Sequence, residues 1–177
     1  RVMHLVRGLT YTAYGDQLLR AARAKQADLV YQRYQLGSYA GLELARRLRV
    51  PLVLEFNGSE IWVERNWMSG ELRLEHALEE LELRNLRAAS LVVVVSEPLR
   101  EFVLEQGVPA ERVLVNPNGV DVESLASYRH DAPVVWRSRL GQPEQPTVGF
   151  IGTFGLWHGV KLLPALVEAV PEAQWIL

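Results

Sequence analysis

The sequence has 177 residues, enough for one domain of ordinary size or for one domain and a piece of another. Hydrophobic residues make up 49%, charged residues 23% and the net charge is -2, which is a globular composition with no electrostatic reason to expect a nucleic-acid partner. Cysteine is absent, which excludes disulfides and thiolate metal sites, and no apolar run approaches the ~20 residues of a membrane span.

Short β-rich segments alternate with helical segments from residue 28 onwards. The predicted strands are 28–34, 52–56, 91–95 and 112–115, and the predicted helices are 38–50, 71–90 and 96–107. Apolar spacing in the second helix predicts a buried face of Leu74, Ala77, Leu78 and Leu81. The third strand, LVVVV, is apolar on both faces, as a parallel sheet covered by helices on both sides requires. The pattern predicts an α/β fold with a doubly wound, Rossmann-like parallel sheet.

The pattern changes after residue 121. Residues 127–146 show little periodicity and end in Gln, Glu and two Pro, which is typical of a linker. The α/β alternation then resumes with a strand at 147–152, a helix at 159–170 and a strand at 173–177. We expect three parts, namely a partial domain at 1–121, a linker at 122–146 and the start of a second domain at 147–177. Because the chain begins without an initiator Met, we expect a piece of a longer protein.

Two strand exits carry polar residues that suit a ligand. In open parallel sheets, ligands bind at the carboxyl ends of strands, where helix N-termini present free N–H groups. The exit of strand 52–56 carries Asn57, Gly58, Ser59 and Glu60, and the exit of strand 91–95 carries Ser96 and Glu97. A solvated turn with a capping Ser explains the first set equally well. Helix capping by Ser96, with Gly107 as the helix stop, is the favoured explanation of the second set.

A third exit, after strand 147–152, is rich in glycine and is a candidate anion site. Its residues are Gly152, Thr153, Phe154, Gly155, His158 and Gly159. The glycines let backbone N–H groups approach a phosphate, and a helix that begins near Gly159 adds a favourable dipole. The spacing is neither a dinucleotide fingerprint nor a P-loop. His158 either hydrogen-bonds an anion or packs against Trp157, and packing is the favoured interpretation.

The segment VNPNGVD at 115–121 predicts a sharp turn after the fourth strand. Pro117 removes a backbone donor and fixes φ, while the pair Asn118 and Gly119 favours left-handed conformations. We therefore expect Gly119 at positive φ, and we expect Asn118, Gly119 and Asp121 to form a turn between two domains. By itself the segment is more readily explained as an ordinary turn.

Two stretches, taken together, resemble a known family. LVVVVSEPLREFVLEQGVPAERVLVNPNGVD, followed past the linker by VGFIGTFGLWHGVKLLPALVEA, looks like the central part of a family 4 (group 1) glycosyltransferase of the GT-B fold. In that family a strand-Ser-helix unit, an Asn-Gly-Val-Asp turn and a Gly-rich loop occur in this order. The resemblance covers about residues 28–177. It implies the second half of an N-terminal, acceptor-side domain and the start of a C-terminal, nucleotide-sugar-binding domain.

The resemblance also implies a function. Such a protein moves a sugar from a nucleotide-sugar to a saccharide, lipid or small-molecule acceptor with retention of configuration, and it does not bind nucleic acid. The loop 152–159 would face the donor diphosphate, and residues 57–60 would face the sugar or the acceptor. Members typically need no metal, and the nucleotide-sugar is a substrate, so no cofactor is implied. A cytoplasmic location is implied, with peripheral membrane association of the complete protein as an option.

The sequence departs from the family at three places. Asn57 stands where members commonly have a His, and Asn cannot act as an acid or base. Thr153 and His158 stand where members use Arg and Lys to hold the donor diphosphate. The Glu-x7-Glu pair that grips the donor has no counterpart before Leu177. These departures leave two rivals open, a non-catalytic α/β binding or scaffolding domain and a nucleotide-sugar epimerase, although the acid and base residues of an epimerase are not located here and no catalytic residue is identified.

We expect the 177-residue chain by itself not to turn over a nucleotide-sugar, because activity in this fold is assembled between two domains. The measurement is release of nucleoside diphosphate by the purified chain, with the complete protein as the control. Donor-specific sugar transfer by the isolated chain would contradict this expectation.

Overall fold

The computed structural model describes residues 15–68, 72, 74–126, 135, 136, 138, 139, 145–155 and 158–177. The chain divides into two compact units, Arg1–Asn118 and Gly119–Leu177. Most of the predicted linker lies outside the described residues, and so does Trp157. No helix within the described ranges has the length and apolar content needed to cross a lipid bilayer.

The first unit is built on a parallel sheet of four strands. Its elements are α1 (Gly15–Ala24), β1 (Val30–Arg33), α2 (Ala40–Leu48), β2 (Leu52–Glu55), α3 (Glu60–Trp67), α4 (Glu75–Ala88), β3 (Leu91–Val94), α5 (Glu97–Glu105), a 3-10 turn (Ala110–Arg112) and β4 (Val113–Val115). The strands lie in the order β1-β2-β3-β4, and each pair of neighbours is parallel. The predicted α/β fold with a parallel, Rossmann-like sheet is therefore confirmed.

The core of this unit forms where the helices cover the middle of the sheet. Val92, Val93 and Val94 of β3 are all buried, so this strand is covered on both faces, as its continuous apolar run predicts. At the end of β2 the ring of Phe56 is fully buried. Its centroid lies 5.3 Å from that of Tyr34 and 6.0 Å from that of Phe102, with which it stacks. This ring cluster packs α5 onto the carboxyl end of the sheet.

Helix α4 differs from its prediction in both its start and its buried face. It begins at Glu75, after Leu74 adopts a left-handed backbone at φ 60°, and Leu74 and Ala77 are exposed. The buried residues are Leu78, Glu82, Asn85 and Leu86, whereas Leu81 is partly buried. The prediction was wrong about Leu74 and Ala77 because polar residues occupy the buried stripe. The Asn85 amide is paired there, donating to Ser38 O at 3.0 Å and to Leu81 O at 2.8 Å.

Two helices of the first unit were not predicted at all. Helix α1 precedes the first predicted strand, and α3 follows β2 directly, where the sequence suggested a turn. The Ser59 hydroxyl caps α3 by accepting the Trp62 N–H at 3.2 Å. Ser96 occupies the N-cap position of α5, but its side chain makes no capping hydrogen bond, contrary to expectation. Gly107 lies just after the end of α5 and has φ 84°, as predicted for a residue that stops a helix.

The second unit contains a small parallel sheet. Its elements are α6 (Val122–Ala126), β5 (Thr147–Gly149), a 3-10 turn (Val160–Leu162), α7 (Leu163–Ala169) and β6 (Gln174–Ile176), and β5 pairs with β6. The α-helix begins at Leu163, four residues later than predicted. Gly159 has a left-handed backbone at φ 67°, and Pro164 is tolerated only in the first turn of a helix, which together explain the later start.

The turn at 116–121 is exposed, but its backbone differs from the prediction. Gly119 is not among the glycines with positive φ, so that prediction was wrong. The segment ends at Asp121, which is exposed. Its carboxylate accepts the Ser124 N–H at 3.0 Å and so caps the start of α6. The segment thus ends in a side-chain cap, and Gly119 is not left-handed.

The different backbones of Gly107 and Gly119 predict different responses to substitution. Gly107→Ala should destabilise the protein by about 1–2 kcal/mol, because a Cβ at positive φ is strained even though Arg87 is its nearest neighbour at 3.8 Å. Gly119→Ala should change stability by less than about 0.5 kcal/mol, since its Cβ would meet nothing within 4 Å. Urea unfolding of both variants tests this pair, and equal losses would contradict it.

Candidate functional site

The exits of β2 and β3 open into one groove of about 530 Å³. Its lining residues are Asn57, Gly58, Ser59, Trp62, Val63, Trp67, Val95, Ser96, Pro98, Leu99 and Phe102. The structure therefore brings together residues from the first and second strand exits that the sequence singled out separately. We call this cavity the strand-exit groove.

The sheet geometry places these two exits side by side. β2 and β3 are adjacent and parallel, with Glu55 opposite Val93. After Phe56 the chain turns into α3 through Gly58, whose φ of 138° is a conformation that residues with a Cβ rarely adopt. A Cβ there would meet nothing within 4 Å, so the backbone angle and not crowding requires glycine. The turn leaves Asn57 and Ser59 at the groove.

Two predicted site residues lie outside the groove lining. The Glu60 carboxylate accepts the backbone N–H of Leu36 at 3.1 Å and so ties the start of α3 to the segment after β1. Glu97 is largely exposed and lies 4.0 Å from Arg100 on the same helix. Both side chains make local contacts in this conformation.

The groove walls are apolar and were missed by the sequence reasoning. Trp62 and Trp67 of α3 meet edge to face, with ring centroids 4.8 Å apart. Leu99 and Phe102 of α5 form the other wall. The sequence did contain a pattern that predicts the first wall. Ser59 is a typical N-cap residue and so predicts a helix, and the two Trp follow it within about two turns. Leu99 and Phe102 likewise have helical i, i+3 spacing.

The polar end of the groove is held by a hydrogen-bond network around Glu55. Its carboxylate accepts the Tyr31 hydroxyl at 2.8 Å and the Asn57 amide N–H at 2.8 Å, and the Arg33 guanidinium lies 3.7 Å away. The hydrogen bond from Tyr31 and then that from Asn57 lower the pKa of Glu55. Because a carboxylate can only accept, Asn57 must turn its NH2 group towards Glu55. Its amide oxygen is then the group that can meet a ligand hydroxyl.

A buried carboxyl lies behind the groove. Glu82 is 6% exposed, and burial raises its pKa although the hydroxyls of Ser59 and Tyr34 act in the opposite direction. Burial also raises the pKa of Tyr34. Among the described residues, neither Tyr34 Oη nor Glu82 Oε2 has a hydrogen-bond partner of good geometry. Glu82 therefore keeps its proton to higher pH than an exposed Glu does.

Glu82 lines a second cavity of about 360 Å³. Ser59, Trp62 and Phe102 line this cavity and the strand-exit groove alike, so these three residues form the partition between them. Arg65 also faces the second cavity and pairs with Glu75 and Glu79 of α4. The Arg65 guanidinium therefore forms its ion pairs on the side of the partition that faces the second cavity.

The glycine-rich loop of the second unit is closed by its own hydrogen bonds. The Gly155 N–H donates to Thr153 O at 2.7 Å, and His158 Nδ1 lies 2.5 Å from the same oxygen. The His158 N–H donates to Gly155 O at 3.0 Å. The Phe150 ring lies 5.3 Å from that of Phe154 and 6.1 Å from the His158 ring. His158 thus has Phe150 as a ring neighbour, whereas the suggested contact with Trp157 lies outside the described residues.

The loop geometry restricts which groups it can offer an anion. The N–H groups of Gly155 and His158 are used within the loop, so they are not available in this conformation. A Cβ on Gly152 would lie 3.4 Å from Phe150 and 3.5 Å from His158, so glycine permits their close approach. His158 itself is exposed. Within the described ranges, no group of three or more His, Asp or Glu side chains is arranged to hold a metal ion.

Solved structures of similar fold come from Anabaena HepE. The complex with UDP-glucose matches with a TM-score of 0.61 and 22% identity, covering 91% of this chain and 42% of that one. The complex with UDP and glucose matches with a TM-score of 0.62 and 22% identity, covering 91% and 41%. These matches show a shared fold.

Sequence comparison identifies the family. The sulfoquinovosyl transferase SQD2 of Arabidopsis thaliana is 27% identical over 139 residues, which are 77% of this chain and 26% of that protein. The chain thus spans about a quarter of this curated relative and about two fifths of the HepE chains. The glycosyl transferase 4-like domain family matches residues 1–119. Because this match covers more than half of the 177 residues, the chain belongs to the glycosyl transferase 4-like domain family.

Proposed function

We propose that the complete protein transfers a sugar from a nucleotide-sugar to an acceptor with retention of configuration, and that the strand-exit groove receives the acceptor. The observation that carries this proposal is the convergence of Asn57, Ser59 and Ser96 from two strand exits into one cavity at the carboxyl edge of a parallel sheet. Ligands of open α/β sheets bind at this edge. The family membership supports sugar transfer, and the HepE complexes with UDP-glucose and with UDP and glucose support a nucleotide-sugar donor.

The donor is assigned to the second unit. The loop from Gly152 to Gly159 follows a parallel strand, β5, and is the place where a diphosphate is expected in this family. Basic groups close to it in sequence are the exposed His158 and Lys161. Since the described loop uses two of its N–H groups internally, diphosphate binding there requires the loop to open or the side chains to contribute. The nucleotide-sugar is the substrate, and no further cofactor is proposed.

Asn57 contributes a hydrogen bond to this reaction and no proton transfer. Its amide cannot act as an acid or base, and Glu55 holds its NH2 group at 2.8 Å. The amide oxygen is thereby oriented to accept a hydrogen bond from a hydroxyl of the acceptor or the transferred sugar. Bond breaking at the anomeric carbon then depends on stabilising the departing diphosphate, and the proton of the attacking hydroxyl leaves with that diphosphate.

A second candidate function is a binding or scaffolding domain without catalysis. The observation in its favour is that Asn57 and Thr153 occupy positions where the family commonly has ionisable side chains. Under this alternative the groove binds its ligand and no sugar is transferred.

Activity of the complete protein separates the two candidates. With UDP-glucose and a panel of glucosides, we expect UDP release and a product whose anomeric configuration, read by NMR, equals that of the donor. Asn57→Ala should lower kcat/KM by about 3–10-fold, the effect of losing one neutral hydrogen bond of about 0.5–1.5 kcal/mol. Asn66→Ala is the matched control, because the Asn66 amide donates to Trp62 O on the same helix and does not line the groove. Inverted product would refute retention, and UDP-glucose binding without turnover would favour the scaffolding alternative.

The proposed role of Asn57 requires Glu55 to be ionised, which yields a pH prediction. Tyr31→Phe removes the largest cause of the lowered pKa, so the pKa of Glu55 should rise towards its ordinary value. A carboxylate with a lowered pKa contributes stability that is present above its unfolded pKa and is lost as the pH falls through the folded pKa. The variant should therefore lose less stability on acidification. Carbon-13 NMR titration of the Glu55 carboxyl tests the shift, Tyr39→Phe is the control, and an unchanged Glu55 titration in Tyr31→Phe would contradict it.

A further inference from the structure

The strand-exit groove has a lining without charge. None of the described residues that line it is Asp, Glu, Lys, Arg or His. Polar groups are confined to the strand exits, at Asn57, Ser59 and Ser96, whereas α3 and α5 contribute tryptophan, phenylalanine and aliphatic side chains. The cavity thus has a polar end and an apolar body.

From this arrangement we propose that the acceptor is an uncharged amphiphile. Its hydroxyl-bearing end lies against Asn57, Ser59 and Ser96, and its aliphatic or aromatic portion lies between Trp62 and Trp67 on one side and Leu99 and Phe102 on the other. This inference rests on the proposed function only in calling the ligand an acceptor. The class of ligand follows from the residues that line the groove, whether or not sugar transfer takes place.

The apolar body of the groove offers no charged side chain, among its described lining residues, that could pair with an ionic part of a ligand. Moving an ionised group into an apolar cavity costs free energy unless a partner charge is present. The nearest basic side chain on α3, Arg65, pairs with Glu75 and Glu79 and faces the second cavity. Among the described residues that line the groove, a phosphate or carboxylate would find no cationic side chain. The apolar body of the groove therefore favours an uncharged ligand portion.

The apolar area favours a hydrocarbon portion over a second sugar ring. Trp62 is 48% exposed, so its ring offers apolar surface that a ligand can bury. A sugar ring can stack on a tryptophan, but it gains little from Val63, Leu99 and Phe102, whose aliphatic and aromatic surfaces reward burial of methylene groups. A volume of about 530 Å³ is also within the range of about 300–1,000 Å³ typical of small-molecule sites.

Binding of alkyl glucosides to the complete protein, without donor, tests the inference. Hexyl β-D-glucoside should bind on the order of 1,000-fold more tightly than methyl β-D-glucoside, because it has five more methylenes and each one that is buried strengthens binding about fourfold. Hexyl sulfate should bind more weakly than hexyl glucoside, since the described lining residues include no cationic side chain. Titration calorimetry below the micelle-forming concentration measures all three ligands.

Tryptophan variants locate the binding. Trp62→Ala should weaken hexyl glucoside binding at least about tenfold, and Trp62→Phe should restore most of it. Trp136→Ala is the matched control, because Trp136 is an exposed tryptophan of the second unit beside Arg139. Should Trp62→Ala fail to fold by circular dichroism, Leu99→Asn serves the same purpose from the opposite wall.

Three results would overturn the inference: equal affinity for the methyl and hexyl glucosides, tighter binding of hexyl sulfate, or equal effects of the Trp62 and Trp136 substitutions. Each is distinguishable from failure of the proposed function. If UDP-glucose is turned over but alkyl length has no effect, the inference alone fails. If hexyl glucoside binds with the expected dependence on Trp62 but no sugar is transferred, the groove stands as a binding site and the proposed transfer fails.

Discussion

The parallel hydrogen-bond ladder between β2 and β3 is the constraint on which the groove depends. The pairing continues one residue past β2, where the Phe56 N–H donates to Val93 O at 2.8 Å. Phe56 is then fixed by burial between the Tyr34 and Phe102 rings. Asn57 follows Phe56 directly, and Ser96 follows β3 after one residue. The positions of the polar groove residues are therefore set by backbone pairing and core packing and not by contacts within the groove.

Much of the fold followed from local patterns. The run at 91–95 predicted a strand covered on both faces, and Val92, Val93 and Val94 are indeed all buried. Ligands of open parallel sheets bind at strand exits, and this rule made Asn57 and Ser96 candidate site residues. The structure places both of them in one cavity. These features were predictable because each depends on residues adjacent in sequence or on the geometry common to all parallel sheets.

The failures share a different physical origin, since each depends on a contact or a backbone angle that the local pattern does not determine. The buried stripe of α4 includes two polar residues, Glu82 and Asn85, and the Asn85 amide donates to Ser38 O, which is distant in sequence. The pair Asn118 and Gly119 is typical of a left-handed turn, but Gly119 does not have positive φ, and Asp121 caps the helix that follows. The apolar groove walls required knowledge that α3 exists and lies opposite α5. The orientation of Asn57 likewise depends on Glu55 and Tyr31, from two neighbouring strands.

The partition formed by Ser59, Trp62 and Phe102 is a single layer of side chains with a cavity on either side. Glu82 lines the cavity behind this layer, so a change of volume or charge at Glu82 acts on the surroundings of side chains that also line the strand-exit groove. The rear cavity thus offers a second set of positions, separate from those that line only the groove, at which substitution can alter the groove's shape during engineering or evolution.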